Sequence, residues 1–172
     1  MDTNFDTARE GLKDGGLQMS MPQQFLTFTV EREEYGVDIM TVREIKGWTE
    51  TTRLPNAPEF LRGVMNLRGL IIPIFDLRKR FHMGMTEATS KHVIIILAVG
   101  ERNIGILVDT VSDILDANAD QIKPAPTSST DTQVDADYIN GLISLDDRMV
   151  VLLNVEHLFE EKHIQQAAAH AA

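Results

Sequence analysis

The sequence predicts a mainly β protein built from two similar strand-rich units joined by short helical connectors. Three observations carry that reading: apolar runs of strand length, turn-forming residues between them, and an internal repeat that holds its spacing across most of the chain.

The elements follow in chain order. Residues 1–22 show no sustained period, and Gly15-Gly16 with their polar surroundings read as a mobile tail ahead of Pro22. Phe25, Phe28 and Val30 mark a first strand within the β-rich run QFLTFTV. Tyr35-Gly36-Val37-Asp38-Ile39 alternates apolar and polar, as a half-buried strand does. Pro58–Arg62, closed by Gly63, has the proline-first, glycine-last signature of a short helix. Leu70-Ile71-Ile72-Pro73-Ile74-Phe75 is a strand in which Pro73 lacks an N–H, so it lies on a sheet edge or carries a bulge. Val93–Val99, Ile104–Val108 and Met149–Leu153 complete the apolar strands. A second short helix is predicted over Asp135–Asn140, closed by Gly141, and Asp146-Asp147 form a hairpin turn. A C-terminal helix starts near Asn154 and extends into a fraying helical or disordered tail over 160–172.

The repeat has two offsets. Gly36, Val42 and Ile45 recur as Gly105, Val111 and Ile114, and Glu44 recurs as Asp113, all 69 positions on. Gly63, Leu67, Phe75 and Phe81 recur as Gly141, Leu145, Leu153 and Phe159, all 78 positions on. An insertion between Ile114 and Gly141 explains the change, and the loop composition from Lys123 to Thr130 marks its place. The repeat units span about 25–81 and 94–159, each roughly 60 residues and marginal alone. A pair of such units leaves a groove where ligands and partners settle.

Composition narrows the function. The chain of 172 residues carries 16 basic against 26 acidic side chains, a net charge of −10, which disfavours nucleic acid and anionic membrane surfaces. With no cysteine there is no disulfide, thiolate nucleophile or thiolate-held zinc. No apolar run reaches the roughly 18 residues of a membrane span, and the acidic start of the chain lacks a secretory signal, so a cytoplasmic protein is expected. The histidines form no HxH or HExxH pair, which argues against a metal site. Gly11-Leu12-Lys13-Asp14-Gly15-Gly16 is neither a Walker loop nor a dinucleotide fingerprint, and no serine stands in a GxSxG elbow. No catalytic constellation, cofactor or metal is expected. A binding module remains.

Arg68 is the residue singled out within it. It stands in Asn66-Leu67-Arg68-Gly69 at a turn between apolar strands, where a guanidinium could make forked hydrogen bonds to a partner's carboxylate or helix end. Val42 and Ile45 read as packing at a strand's end, with Glu44 between them on the surface. Trp48 either anchors an interface or caps a barrel end.

The run from Phe60 to Arg78, FLRGVMNLRGLIIPIFDLR, closely resembles the signature of the CheW family of bacterial chemotaxis coupling proteins. Glu34–Ile39, Val108–Asp113 and Gln121–Pro126 resemble it too, and the likeness covers about Gln24 to Phe159. It implies two intertwined, five-stranded SH3-like or OB-like β-barrels over 23–159. It also implies a non-catalytic adaptor between methyl-accepting chemotaxis receptors and the regulatory domain of the histidine kinase CheA, within membrane-associated arrays. Other copies of the same fold count among the possible neighbours. The resemblance assigns Arg68 and Val93 to receptor contact, Val42 and Glu44 to receptor or kinase contact, and Lys123 to the ring contact with the kinase domain. After Lys123 the loop continues Thr127-Ser128-Ser129, small and polar where some relatives present an aromatic. The alternative within the family is a scaffold for a pilus or gene-regulatory pathway. A fused receiver domain is not expected in a chain of this length.

Overall fold

The structure, a computed structural model, describes residues 21–125 and 136–160. In chain order these form β1 (Gln23–Val30), β2 (Glu33–Asp38), β3 (Val42–Gly47), β4 (Leu61–Leu67), β5 (Leu70–Asp76) and the short helix α1 (Leu77–Arg80). After a crossover come β6 (Val93–Val99), β7 (Arg102–Val108), β8 (Thr110–Ala117), β9 (Ile122–Lys123), β10 (Ile139–Ser144), β11 (Met149–Leu153) and α2 (Val155–Leu158).

Pairing sorts the strands into a six-stranded sheet, β8-β1-β2-β11-β10-β9, and a five-stranded sheet, β3-β6-β7-β5-β4. Neither sheet comes from one half of the chain. Each takes its first hairpin from one repeat and the remaining strands from the other. This is the mainly β, intertwined architecture the sequence predicts, with the two-residue β9 added to one sheet.

The two registers are copies. Phe28 faces Val111 in β1–β8, and Leu97 faces Val42 in β6–β3; both ladders then slip by one residue at equivalent places. The parallel joints also correspond, Gly36 opposite Leu152 and Gly105 opposite Ile74. These matches carry the offsets of 69 and 78 from sequence into space and define a pseudo-two-fold relation.

Alternation lets one strand feed two cores. In β6, Ile95, Leu97 and Val99 enter the large cluster shared by both sheets, while Ile94 and Ile96 fill the interior of the five-stranded sheet. The shared cluster sets Leu26, Phe28, Val30, Tyr35 and Val37 with their repeat equivalents Ile95, Leu97, Val99, Ile104 and Ile106. Each such buried side chain contributes roughly 1.5–3 kcal/mol. Much of the apolar burial therefore belongs to neither unit separately. Arg80 adds a polar tie between the units: its guanidinium lies 5.3 Å from the Phe60 ring and 4.6 Å from the equivalent Tyr138, and it donates to the Leu158 carbonyl.

One of the two predicted connector helices, and the closing role of both glycines, need correction. Pro58–Arg62 is a turn, closed by a bond from Leu61 N–H to the Pro58 carbonyl, that runs straight into β4. Gly63 lies inside that strand at a register slip, with φ of 147°, where an added Cβ would come within 2.3 Å of the Thr52 carbonyl oxygen. It is a glycine of close approach rather than a helix stop. Over Asp135–Asn140, residue 135 lies outside the described residues; a single 3-10 turn at Ala136–Tyr138 precedes β10, and Gly141 sits within that strand at the matching slip.

Pro73 resolves the choice between edge and bulge. β5 is flanked by β4 and β7, yet its pairing with β7 covers only Ile74–Asp76. Val64 spends its backbone groups on Thr52, so the nitrogen of Pro73 opposite points away from β4, to the side where the pairing with β7 has not begun. The strand is locally an edge at that residue. The C-terminal helix starts as expected, with Asn154 accepting from the His157 N–H as N-cap. Both predicted tails lie largely outside the described residues.

Candidate functional site

The turn between β4 and β5 has two central residues, Arg68 and Gly69, with φ of 52° and 90°. Two consecutive positive φ values make the tight hairpin turn whose twist matches the flanking strands. Asn66 stabilises it by accepting from the Gly69 N–H at 2.8 Å through Oδ1. Arg68 is thereby lifted to the hairpin tip.

Its side chain meets Glu44 on β3. Nη2 donates to Oε1 and Nη1 stands beside Oε2, both at 3.2 Å, a forked pair. The guanidinium side chain remains 77% exposed, while Glu44 is largely covered. β3 and β4 occupy opposite ends of the five-strand order, so this pair joins the two edges of a curled sheet. The same seam carries the backbone bridge between Thr52 and Val64, and Arg62 stacked 5.1 Å from the Trp48 ring. Trp48 packs against the interior cluster of Ile72, Ile74, Ile94, Ile96 and Leu107. That places it as the barrel cap.

Val42 is two residues before Glu44 on β3, half-buried and packed on the margin of the shared core. Val93 opens β6 opposite Gly47 at the far end of the β3 ladder, also half-buried on that core. Arg68, Glu44 and Val42 thus share one seam, with Val93 on the adjoining strand. Lys123 does not join them. It belongs to β9 in the other sheet, where Nζ donates to the Asp120 carbonyl at 3.0 Å. The small polar segment from Thr127 lies outside the described residues.

Sequence reasoning missed two features here. Leu70 and Ile71 of the apolar strand are 58% and 64% exposed beside the Arg68 turn, and Ile45, expected to pack at a strand's end, is exposed next to Glu44. The signal was available in Pro73, whose local edge leaves the outer part of β5 without a second neighbour. The other is Asp76, fully buried, which accepts from Thr86 N–H at 2.9 Å and Thr86 Oγ1 at 2.7 Å and lies 3.5 Å from Arg62 Nη1. It fastens the crossover to the base of the β4–β5 hairpin.

The pseudo-two-fold relation shows what is particular to this end. Asp146 and Asp147 form the equivalent hairpin tip between Leu145 and Arg148, and Asp113 stands where Glu44 does. One tip carries an arginine held by an acid; the other carries acids alone.

An exposed guanidinium held in place and flanked by apolar side chains has the geometry for forked hydrogen bonds to a carboxylate. Fold and face together define a β-rich binding module of two exchanged-strand units. Residues 24–163 match the family model described as CheW-like domain. The chain is 43% identical over 142 residues to a protein of Klebsiella aerogenes named chemotaxis protein CheW, covering 83% of this chain and 84% of the relative. It is 39% identical to a probable chemotaxis protein CheW of Rhizobium etli, covering 84% and 92% of the two chains. Among solved structures, the scaffolding protein TtCheW of Thermoanaerobacter tengcongensis superposes with a TM-score of 0.74 at 33% identity, covering 82% of this chain and 90% of that one. The chain belongs to the CheW family of chemotaxis scaffold and adaptor proteins. Among the described residues no helix is long and apolar enough to cross a membrane.

Proposed function

We propose that this chain is a non-catalytic cytoplasmic adaptor that couples methyl-accepting chemotaxis receptors to the histidine kinase CheA within membrane-associated arrays. The observation that carries the reading is Arg68, exposed at a hairpin tip yet held by Glu44 and bordered by exposed Ile45, Leu70 and Ile71. Glu44 occupies two of the guanidinium's N–H directions and leaves the others to a partner. In this reading Arg68 meets the receptor, with Val93 on the same side. Glu44 orients the arginine, and Val42 sets β3 against the shared core. Lys123, on the other sheet, takes the ring contact with the kinase domain. Contacts on different faces let receptor state bias kinase state by differential affinity, with no bond made or broken. The relatives' names favour chemotaxis over a pilus or gene-regulatory pathway.

Calorimetric titration with the isolated CheA regulatory domain and with a receptor cytoplasmic fragment tests the proposal. Saturable one-to-one binding to each is expected. Arg68→Glu should weaken receptor binding about tenfold or more while leaving CheA binding and thermal stability nearly unchanged. Glu44→Ala should weaken receptor binding less than Arg68→Ala, and the double variant no further than Arg68→Ala, because the two act as a unit. Absence of CheA binding, or normal receptor binding by Arg68→Glu, overturns the assignment.

A further inference from the structure

A second region of mixed charge and apolar character lies at the other end of β4. The segment before β4, α1 and the crossover enclose a cleft of about 410 Å³, inside the range of roughly 300–1,000 Å³ typical of ligand pockets. Its wall holds three cations, Arg53, Arg62 and Lys79, against one acid, Glu59, although acids outnumber bases 26 to 16 in the chain. The cations differ in commitment. Arg62 donates to the Thr86 carbonyl at 2.8 Å and faces buried Asp76; Lys79 stands 3.1 Å from Glu59. Arg53 is exposed and has no ion pair or hydrogen bond among the described residues. Beside it in the same cleft, Leu54 and Met85 are among the exposed large apolar side chains. An unpaired guanidinium next to exposed apolar surface matches a ligand that is itself anionic and apolar.

This surface is separate from the Arg68 turn. At about 3.3 Å per strand residue, the length of β4 sets Arg62 and Arg68 roughly 20 Å apart.

We propose that the cleft is a second docking site, for an acidic peptide segment of a partner protein that places a carboxylate on Arg53 and an apolar side chain against Leu54 and Met85. A lone carboxylate gains little from an exposed arginine in water, so the apolar contact must supply most of the affinity. That requirement selects a peptide over a small organic acid.

The test is an amide-shift titration of the full, isotope-labelled chain with a blocked peptide of alternating glutamate and leucine, its glutamine counterpart, and N-acetyl-leucine. Shifts centred on Arg53, Leu54, Lys79 and Met85 are expected with the acidic peptide, and about fivefold weaker binding with the glutamine version. Arg53→Glu and Leu54→Ser, both at exposed positions, should each weaken binding at least fivefold, whereas Arg68→Glu leaves it unchanged. Shifts centred elsewhere, equal affinity for the glutamine peptide, or full binding by either cleft variant overturns the proposal. So does N-acetyl-leucine matching the peptide, which would make the cleft a small-acid pocket.

Discussion

Arg68 holds a left-handed backbone conformation that non-glycine residues seldom adopt. The Asn66 side chain below it and the Glu44 carboxylate beside it keep the turn in that shape, so its exposure is a matter of construction rather than of an idle surface arginine. A second residue sets a pH response. Tyr35 is buried in the shared core between the Phe28 and Phe81 rings, and burial, with Glu33 and Glu31 nearby, pushes its phenol well above the ordinary value of 10.0. The unfolded chain therefore releases a proton near pH 10 that the native chain keeps. Stability from this group is complete below pH 10 and declines above it by about 1.4 kcal/mol per pH unit. Urea unfolding from about pH 9 to pH 11 should show that decline in the native chain and a flatter profile in Tyr35→Phe. Identical slopes would remove Tyr35 as the cause.

At the level of elements, Asp76 does two jobs: it caps α1 through the Lys79 N–H and ties the crossover through Thr86. Removing a buried carboxylate from an arginine and three donors leaves several polar groups unmet. Asp76→Ala should cost about 3 kcal/mol or more and lower the melting temperature by roughly 6–12 °C. Thr86→Val should cost only about 1 kcal/mol, since one side-chain bond is lost. Thermal unfolding of both variants decides this, and equal effects would contradict it. The same elements show how far sequence reached. The apolar strands β1, β2, β5, β6, β7 and β11 and the repeat are readable because apolar runs and paired glycines leave a local signature, whereas β4, β8, β9 and β10 bury few side chains and leave little. Gly63 and Gly141 were misread because a helix-stopping glycine and a glycine pressed against a neighbouring strand look alike until the neighbour is known. Trp48 stayed undecided for the same reason, as its fate depends on Ile94 and Leu107, distant in the chain. Asp76 escaped notice because its partners Arg62 and Thr86 lie on opposite sides of it in sequence. Arg68 was legible as a turn residue, but not its Glu44 partner, which needs the sheet to curl.

On the scale of the whole molecule, the exchange of the β1–β2 and β6–β7 hairpins makes each sheet depend on both repeats. Fragments 1–84 and 85–172 should each lack a cooperative unfolding transition, and mixing them should restore the native circular dichroism spectrum. Cooperative melting of either fragment alone would mean that one unit is self-sufficient. The pseudo-two-fold relation has one further consequence. A body with true two-fold symmetry looks the same turned end over end, and nothing that approached it could tell head from tail. Here the corresponding hairpin tips differ in backbone and in sign, Arg68 at positive φ at one and Asp146, without it, at the other. That contrast gives a nearly symmetric frame a polarity, so that the duplicated architecture points in one direction.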